Sequence, residues 1–228
     1  MKLNIKGTIV PNSQTWIYEY LEIEHTSPKM VERFLEEANG QEIEVHINSP
    51  GGSVYAGSEI YTALKEYKGK TTGKIVGMAA SAASLVAMAL NVVFISPTAQ
   101  MMVHNAWNEA KGDKNYMRWN ANMLDITDEG LMNAYLMKTK MKKEDLIKLL
   151  DETTFMNAEQ AVELGFADEI MFKEELEAVA YNGYMIPEEL INKIKNKILE
   201  QKVDENQEET KNQEELAQAK ARLRLLSL

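Results

Sequence analysis

The stretch from Ile43 to Tyr67, "IEVHINSPGGSVYAGSEIYTALKEY", decides how this chain is read. Ile43, Val45 and Ile47 alternate with polar residues, the period of a half-buried strand. Pro50-Gly51-Gly52 breaks that pattern, and from Ser53 onward the residues follow a helical one. The same order of events returns at once in "GKIVGMAASAASLVAMA" (73–89): a strand, then Ser81, then a helix of small residues. Strands that alternate with helices predict an α/β fold with largely parallel pairing.

Outward from this pair, residues 3–10 and 16–23 read as short strands around a turn at Pro11-Asn12. Ser27-Pro28 opens a helix, since serine caps well and proline fits the first helical position. Met30, Val31, Phe34, Leu35 and Ala38 recur with helical spacing, and Gly40 suits its end. "VVFIS" (92–96) and "QMMVH" (100–104) are further strands, residues 114–150 carry helical patterns, and "TTFMN" (153–157) is a short strand. Asn157 with Gln160 has the spacing of a capping box, and Gly165 stops the helix that follows.

The 228 residues suit one domain with an appendage. A hydrophobic content of 45% allows a sizeable core. The formal charge of −10, with no basic cluster, argues against nonspecific nucleic-acid binding. There are no cysteines, which excludes disulfides, a thiol nucleophile and cysteine-ligated metal. No metal or cofactor is expected. "MKLNIKGTIVPNSQ" lacks the apolar run of a signal peptide, and the longest apolar stretch, near 75–95, is broken by Gly77, Ser81, Ser84 and Asn91. These features lead us to expect a soluble, cytoplasmic protein without a membrane partner. Past residue 171 the character changes, and Val203 is the only aliphatic residue in "KVDENQEETKNQEE" (202–215). The expected division is a domain over 1–172, a helical extension over 173–201 and a charged tail over 202–228, disordered or helical.

Chemistry can be placed on three of these elements. Consecutive glycines before a helix let backbone N–H groups face a cleft, where they would suit an oxyanion. In "GMAAS" (77–81) a strand feeds a helix through small residues with Ser81 at the junction, the arrangement that presents a nucleophile with the next N–H, that of Ala82, beside it. Ser84, one helical turn on, suits packing or a bond back to a carbonyl. The chain has three histidines. His25 lies in a polar turn and His46 within a strand. His104 ends an apolar strand and is the best placed to enter a cleft. Asp151 and Glu152, in "LLDETTF", are candidates for an acid that orients it.

Taken together, "INSPGGSVYAG", "GMAAS", "MMVH" and "NAEQAVELGFADEI" resemble, in order and separation, the proteolytic subunit of the Clp protease family. The N-terminal stretch up to "INSPGG" resembles the branch encoded by phages and prophages, described as head-maturation proteases. The likeness covers about residues 3–172. It implies a crotonase-like α/β fold of repeated β-β-α units and stacked rings of subunits, commonly seven per ring. It implies Ser81 as nucleophile, His104 as general base, and the Gly52 and Ala82 N–H groups as oxyanion hole. The helices between about 114 and 140 match the region that joins two rings.

One position departs from the family. The triad aspartate lies two residues before the aromatic that matches Phe155, and here that residue is Thr153. The orienting acid is then displaced to Asp151 or Glu152, or missing. A strand through 151–155 would put Asp151 and Thr153 on one face, which favours Asp151. The expected substrate is protein, in the phage-type reading a capsid or scaffold precursor, with the tail as a docking segment. A Clp-type ATPase partner is left open. The alternatives are a crotonase-fold acyl-CoA enzyme and a catalytically weak ring component.

Overall fold

The computed structural model describes residues 1–172 together with Ile191, Asn192 and Lys195. Residues 1–172 form one compact unit. The helical extension and charged tail expected beyond it lie almost wholly outside the described residues.

The core of the unit is an eight-stranded sheet. Its strands are β1 (Lys2–Ile9), β2 (His25–Thr26), β3 (Ile43–Gly52), β4 (Thr71–Ala80), β5 (Val92–Ile95), β6 (Gln100–Val103), β7 (Thr154–Met156) and β8 (Glu169–Ile170). Their order is β2-β1-β3-β4-β5-β8. Strand β4 pairs with β5 through Thr72–Ile75 and then with β6 through Met78–Ala80, so it serves two neighbours in turn. Every pairing is parallel except β6 with β7. Parallel strands need crossovers, and the helices supply them: α1 (Thr15–Tyr20), α2 (Pro28–Ala38), α3 (Val54–Glu66), α4 (Ala82–Ala87), α5 (Lys114–Thr139), α6 (Lys143–Asp151) and α7 (Ala158–Glu163). This is a mixed α/β architecture consistent with the Clp-like fold.

The alternation read in β3 is the alternation of burial. Ile43, Val45 and Ile47 have no exposed surface, and Ile75 of β4 joins them. The run 82–90 is buried throughout, because α4 and the turn after it pack into the core. Asn157 accepts from the Gln160 N–H while the Gln160 side chain accepts from the Asn157 N–H, so the capping box is complete.

Two local expectations need correction. Residues 16–23 are not a strand: α1 occupies Thr15–Tyr20. Trp16 and Tyr20 on it are exposed, and the place beside β1 is taken by β2 instead. Ser27 stands at the start of α2 without a side-chain capping bond, and its buried hydroxyl has no partner among the described residues. That helix turns left-handed already at Asn39. Among the described residues, no helix is long and apolar enough to cross a membrane.

Candidate active site

Strands β3 and β4 run side by side and in parallel, so the turns at their C-terminal ends meet at one edge of the sheet. The pairing shifts there, from Ile47 with Ile75 to Ser49 with Ala79, so β4 carries two extra residues. Asn48 takes up part of that shift by accepting from the Met78 N–H at 3.1 Å. Ser49 is buried; it donates to the Gly7 carbonyl at 2.6 Å and accepts from the Gly51 N–H at 3.1 Å. The polar residues of "INSPGG" thus pin the glycine turn to both neighbouring strands.

Gly51 has φ +90°, a conformation that L side chains rarely adopt. A Cβ there would lie 2.5 Å from the Ala80 carbonyl oxygen and 2.8 Å from Ser81 Cβ. The glycine turn therefore packs directly on the turn that carries Ser81.

Ser81 links β4 to α4 with φ 54° and ψ −125°, a strained backbone for a residue with a side chain. Its surroundings hold it there. The Ser81 N–H donates to the Met102 carbonyl at 2.9 Å. Its own carbonyl accepts from the Ser84 and Leu85 N–H groups at 2.9 and 3.2 Å and from the Ser84 hydroxyl at 2.7 Å. Ser84 has one hydroxyl proton, and the Ser81 carbonyl takes it. The 2.8 Å contact with Tyr135 is then a bond that Tyr135 donates. Complete burial pushes the Tyr135 phenol up to about 12, with the Ser84 bond opposing, so it stays a donor at neutral pH. Ser84 is a clamp on the Ser81 turn, the back-bonding role anticipated for it.

His104 follows β6 directly, and its Nε2 lies 2.8 Å from Ser81 Oγ. Burial pushes the His104 pKa below its ordinary value, and the negative charge of Asp128 opposes that shift. The ring is thus neutral at pH 7. With the Ser81 proton directed at Nε2, the ring proton sits on Nδ1. Ser81, His104, Gly52 and Ala82 line one cavity, with Trp107 and Leu131 on its wall. The other histidines stand apart. His25 begins β2, its Nδ1 3.0 Å from the Ile23 carbonyl oxygen, and His46 contacts Glu44 in a surface group with Lys74.

The short strand read at 153–157 is present as β7, but it does not reach back to Asp151. The buried spacing of Leu146 and Leu150 continues α6 to Asp151, and β7 starts at Thr154. Between them Thr153 turns left-handed at φ 52°, exposed and without a side-chain hydrogen bond among the described residues. Asp151 does reach the region of the base. Its Oδ1 accepts from Asn105 Nδ2 at 2.8 Å, one residue beyond His104, but no bond joins it to the His104 ring. Glu152 is exposed beside it.

A carboxylate that the sequence did not single out also reaches this segment. Asp128 of α5 accepts from the Ala106 N–H at 2.6 Å. Burial raises its pKa; that backbone bond and His104 lower it, and Asp125 and Asp151 add to the rise. Asp128 carried no visible signal, since it reads as one more polar residue on a long helix. Among the described residues no group of histidine and acidic side chains is placed to hold a metal ion. A family model described as Clp protease matches residues 20–174, a span that includes the glycine turn, Ser81 and His104.

Proposed function

This chain belongs to the Clp protease family, and we propose that it is a serine endopeptidase working through Ser81 and His104. The observation that carries this reading is the 2.8 Å contact between Ser81 Oγ and His104 Nε2 at the mouth of a strained strand-to-helix turn. Ser81 Oγ attacks a peptide carbonyl carbon while His104 Nε2 takes its proton. The carbonyl oxygen becomes an oxyanion, for which the Gly52 and Ala82 N–H groups are the candidate donors. His104 then gives the proton to the leaving amine, and an ester on Ser81 remains. Water, deprotonated by His104, cleaves that ester and restores the serine.

Self-association supports the same reading. Tyr116, Met117, Trp119 and Ile126 on the first half of α5 are exposed, as is Trp107 just before it. Large apolar side chains left in water along one helix mark an interface. Ring formation is the family's way of covering such a surface, and a ring of the stacked sevenfold kind would enclose the Ser81 sites. The phage-type resemblance adds a natural substrate, a capsid or scaffold precursor.

The test is hydrolysis of fluorescein-labelled casein and of short fluorogenic peptides, compared with Ser81→Ala. Cleavage by the natural chain, falling at least ~10³-fold in Ser81→Ala, is expected. Cleavage that survives the substitution would remove Ser81 from the mechanism. No cleavage together with binding of coenzyme A would favour an acyl-CoA enzyme instead.

A further inference from the structure

The segment after the base, His104-Asn105-Ala106, carries no secondary structure. It is nevertheless held at two points by carboxylates from two helices. Asp151, at the end of α6, takes the Asn105 side-chain amide at 2.8 Å. Asp128, in the middle of α5, takes the Ala106 backbone N–H at 2.6 Å. The two differ in kind. Asp151 is exposed and grips a side chain, whereas Asp128 is half-buried and grips the backbone itself. A backbone grip two residues from the base limits where the imidazole can point. Only Oδ1 of Asp128 is engaged; Oδ2 accepts no bond from the described residues, and His104 Nδ1 likewise has no hydrogen-bonded partner among them.

We propose that Asp128 is the positioning carboxylate for His104, holding the base through Ala106 and facing it with a negative charge. This rests on the peptidase reading above. In that reading the imidazole becomes positively charged as Ser81 attacks, and a fixed anion nearby stabilises that state. Thr153 offers no such charge. Asp128 does so from another helix, where only folding brings it to the base. Among the described residues the charges that bear on the pair are few. Asp125 lies one turn earlier on α5 and Asp151 across on α6, and both act on Asp128 rather than directly on the ring. Ser81 faces His104 from the β4–α4 turn.

The test uses the full chain and labelled casein or a fluorogenic peptide, with kcat and kcat/KM measured against pH. Asp128→Asn keeps an oxygen for the Ala106 N–H but removes the charge. Its Tm is expected to stay near that of the natural chain. Its kcat is expected to fall about 10²-fold with KM little changed, as for a group that acts mainly in the transition state. The acid limb of kcat/KM is expected to move to lower pH, because the charge that opposes the burial effect on His104 is gone. Asp128→Ala, which also frees Ala106, is expected to lose more. An unmoved limb and unchanged kcat in Asp128→Asn, with Ser81 dependence intact, would overturn the assignment and leave the peptidase reading standing. The same pair of changes arising from Asp151→Asn and not from Asp128→Asn would overturn it too. Activity that does not depend on Ser81 would overturn both readings together.

Discussion

Replacing Gly51 with alanine is expected to abolish peptide hydrolysis and to lower the unfolding free energy by at least ~2 kcal/mol. Two effects add. The residue would sit at φ +90°, where a side chain is strained. Its Cβ would lie 2.5 Å from the Ala80 carbonyl oxygen and 2.8 Å from Ser81 Cβ, both parts of the turn that presents the nucleophile. Something must shift, and the atoms in the way are backbone or the Ser81 side chain itself. A displacement of about 1 Å at the reacting atoms is enough to cost ~10²-fold in rate. Chemical denaturation with a parallel activity assay checks this. A Gly51→Ala protein with natural stability and activity would show that the two turns are not packed as described.

Replacing His104 with glutamine is expected to lower kcat by about 10³- to 10⁴-fold while leaving the fold intact. His104 is only half-buried, and among the described residues its ring makes a single hydrogen bond, to Ser81, so little stability depends on it. Its pH behaviour is the more specific sign. A base works when unprotonated. Burial lowers the His104 pKa, so the neutral form persists to lower pH than for a free histidine. The acid limb of kcat/KM is therefore expected below the ordinary histidine value of ~6.5. In His104→Gln any residual hydrolysis should lack that limb. A natural chain whose activity falls off well above pH 6.5, or a variant that keeps the limb, would point to another base.

What the sequence disclosed, and what it hid, follows from how far each feature reaches along the chain. "INSPGG" and "GMAAS" are local: a strand, a turn and a helix start written in consecutive residues. Their meeting follows from parallel pairing of neighbouring strands. His104 was legible for a similar reason, as the residue that closes an apolar strand. The clamp on the Ser81 turn was half legible. Ser84 could be read as bonding back to a carbonyl, but Tyr135, 51 positions on, has no local sign of its part in it. Asp128 was hidden altogether, because α5 brings it to Ala106 from 22 positions away. The strand read at 153–157 is β7, which begins at Thr154, while α6 takes Asp151. Residues 16–23 were read as a strand, yet Thr15–Tyr20 form a helix, and β2 pairs with β1 in their place.

Peptidase chemistry here requires Ser81 to be a nucleophile that His104 activates. The direct measurement is peptide mapping by mass spectrometry after reaction with a fluorophosphonate, which phosphonylates an activated serine and releases fluoride. A single adduct on the peptide that contains Ser81, located at Ser81 rather than Ser84 and slowed severely in His104→Gln, is the predicted result. An adduct at Ser84, or labelling at Ser81 that proceeds equally well without His104, would contradict it.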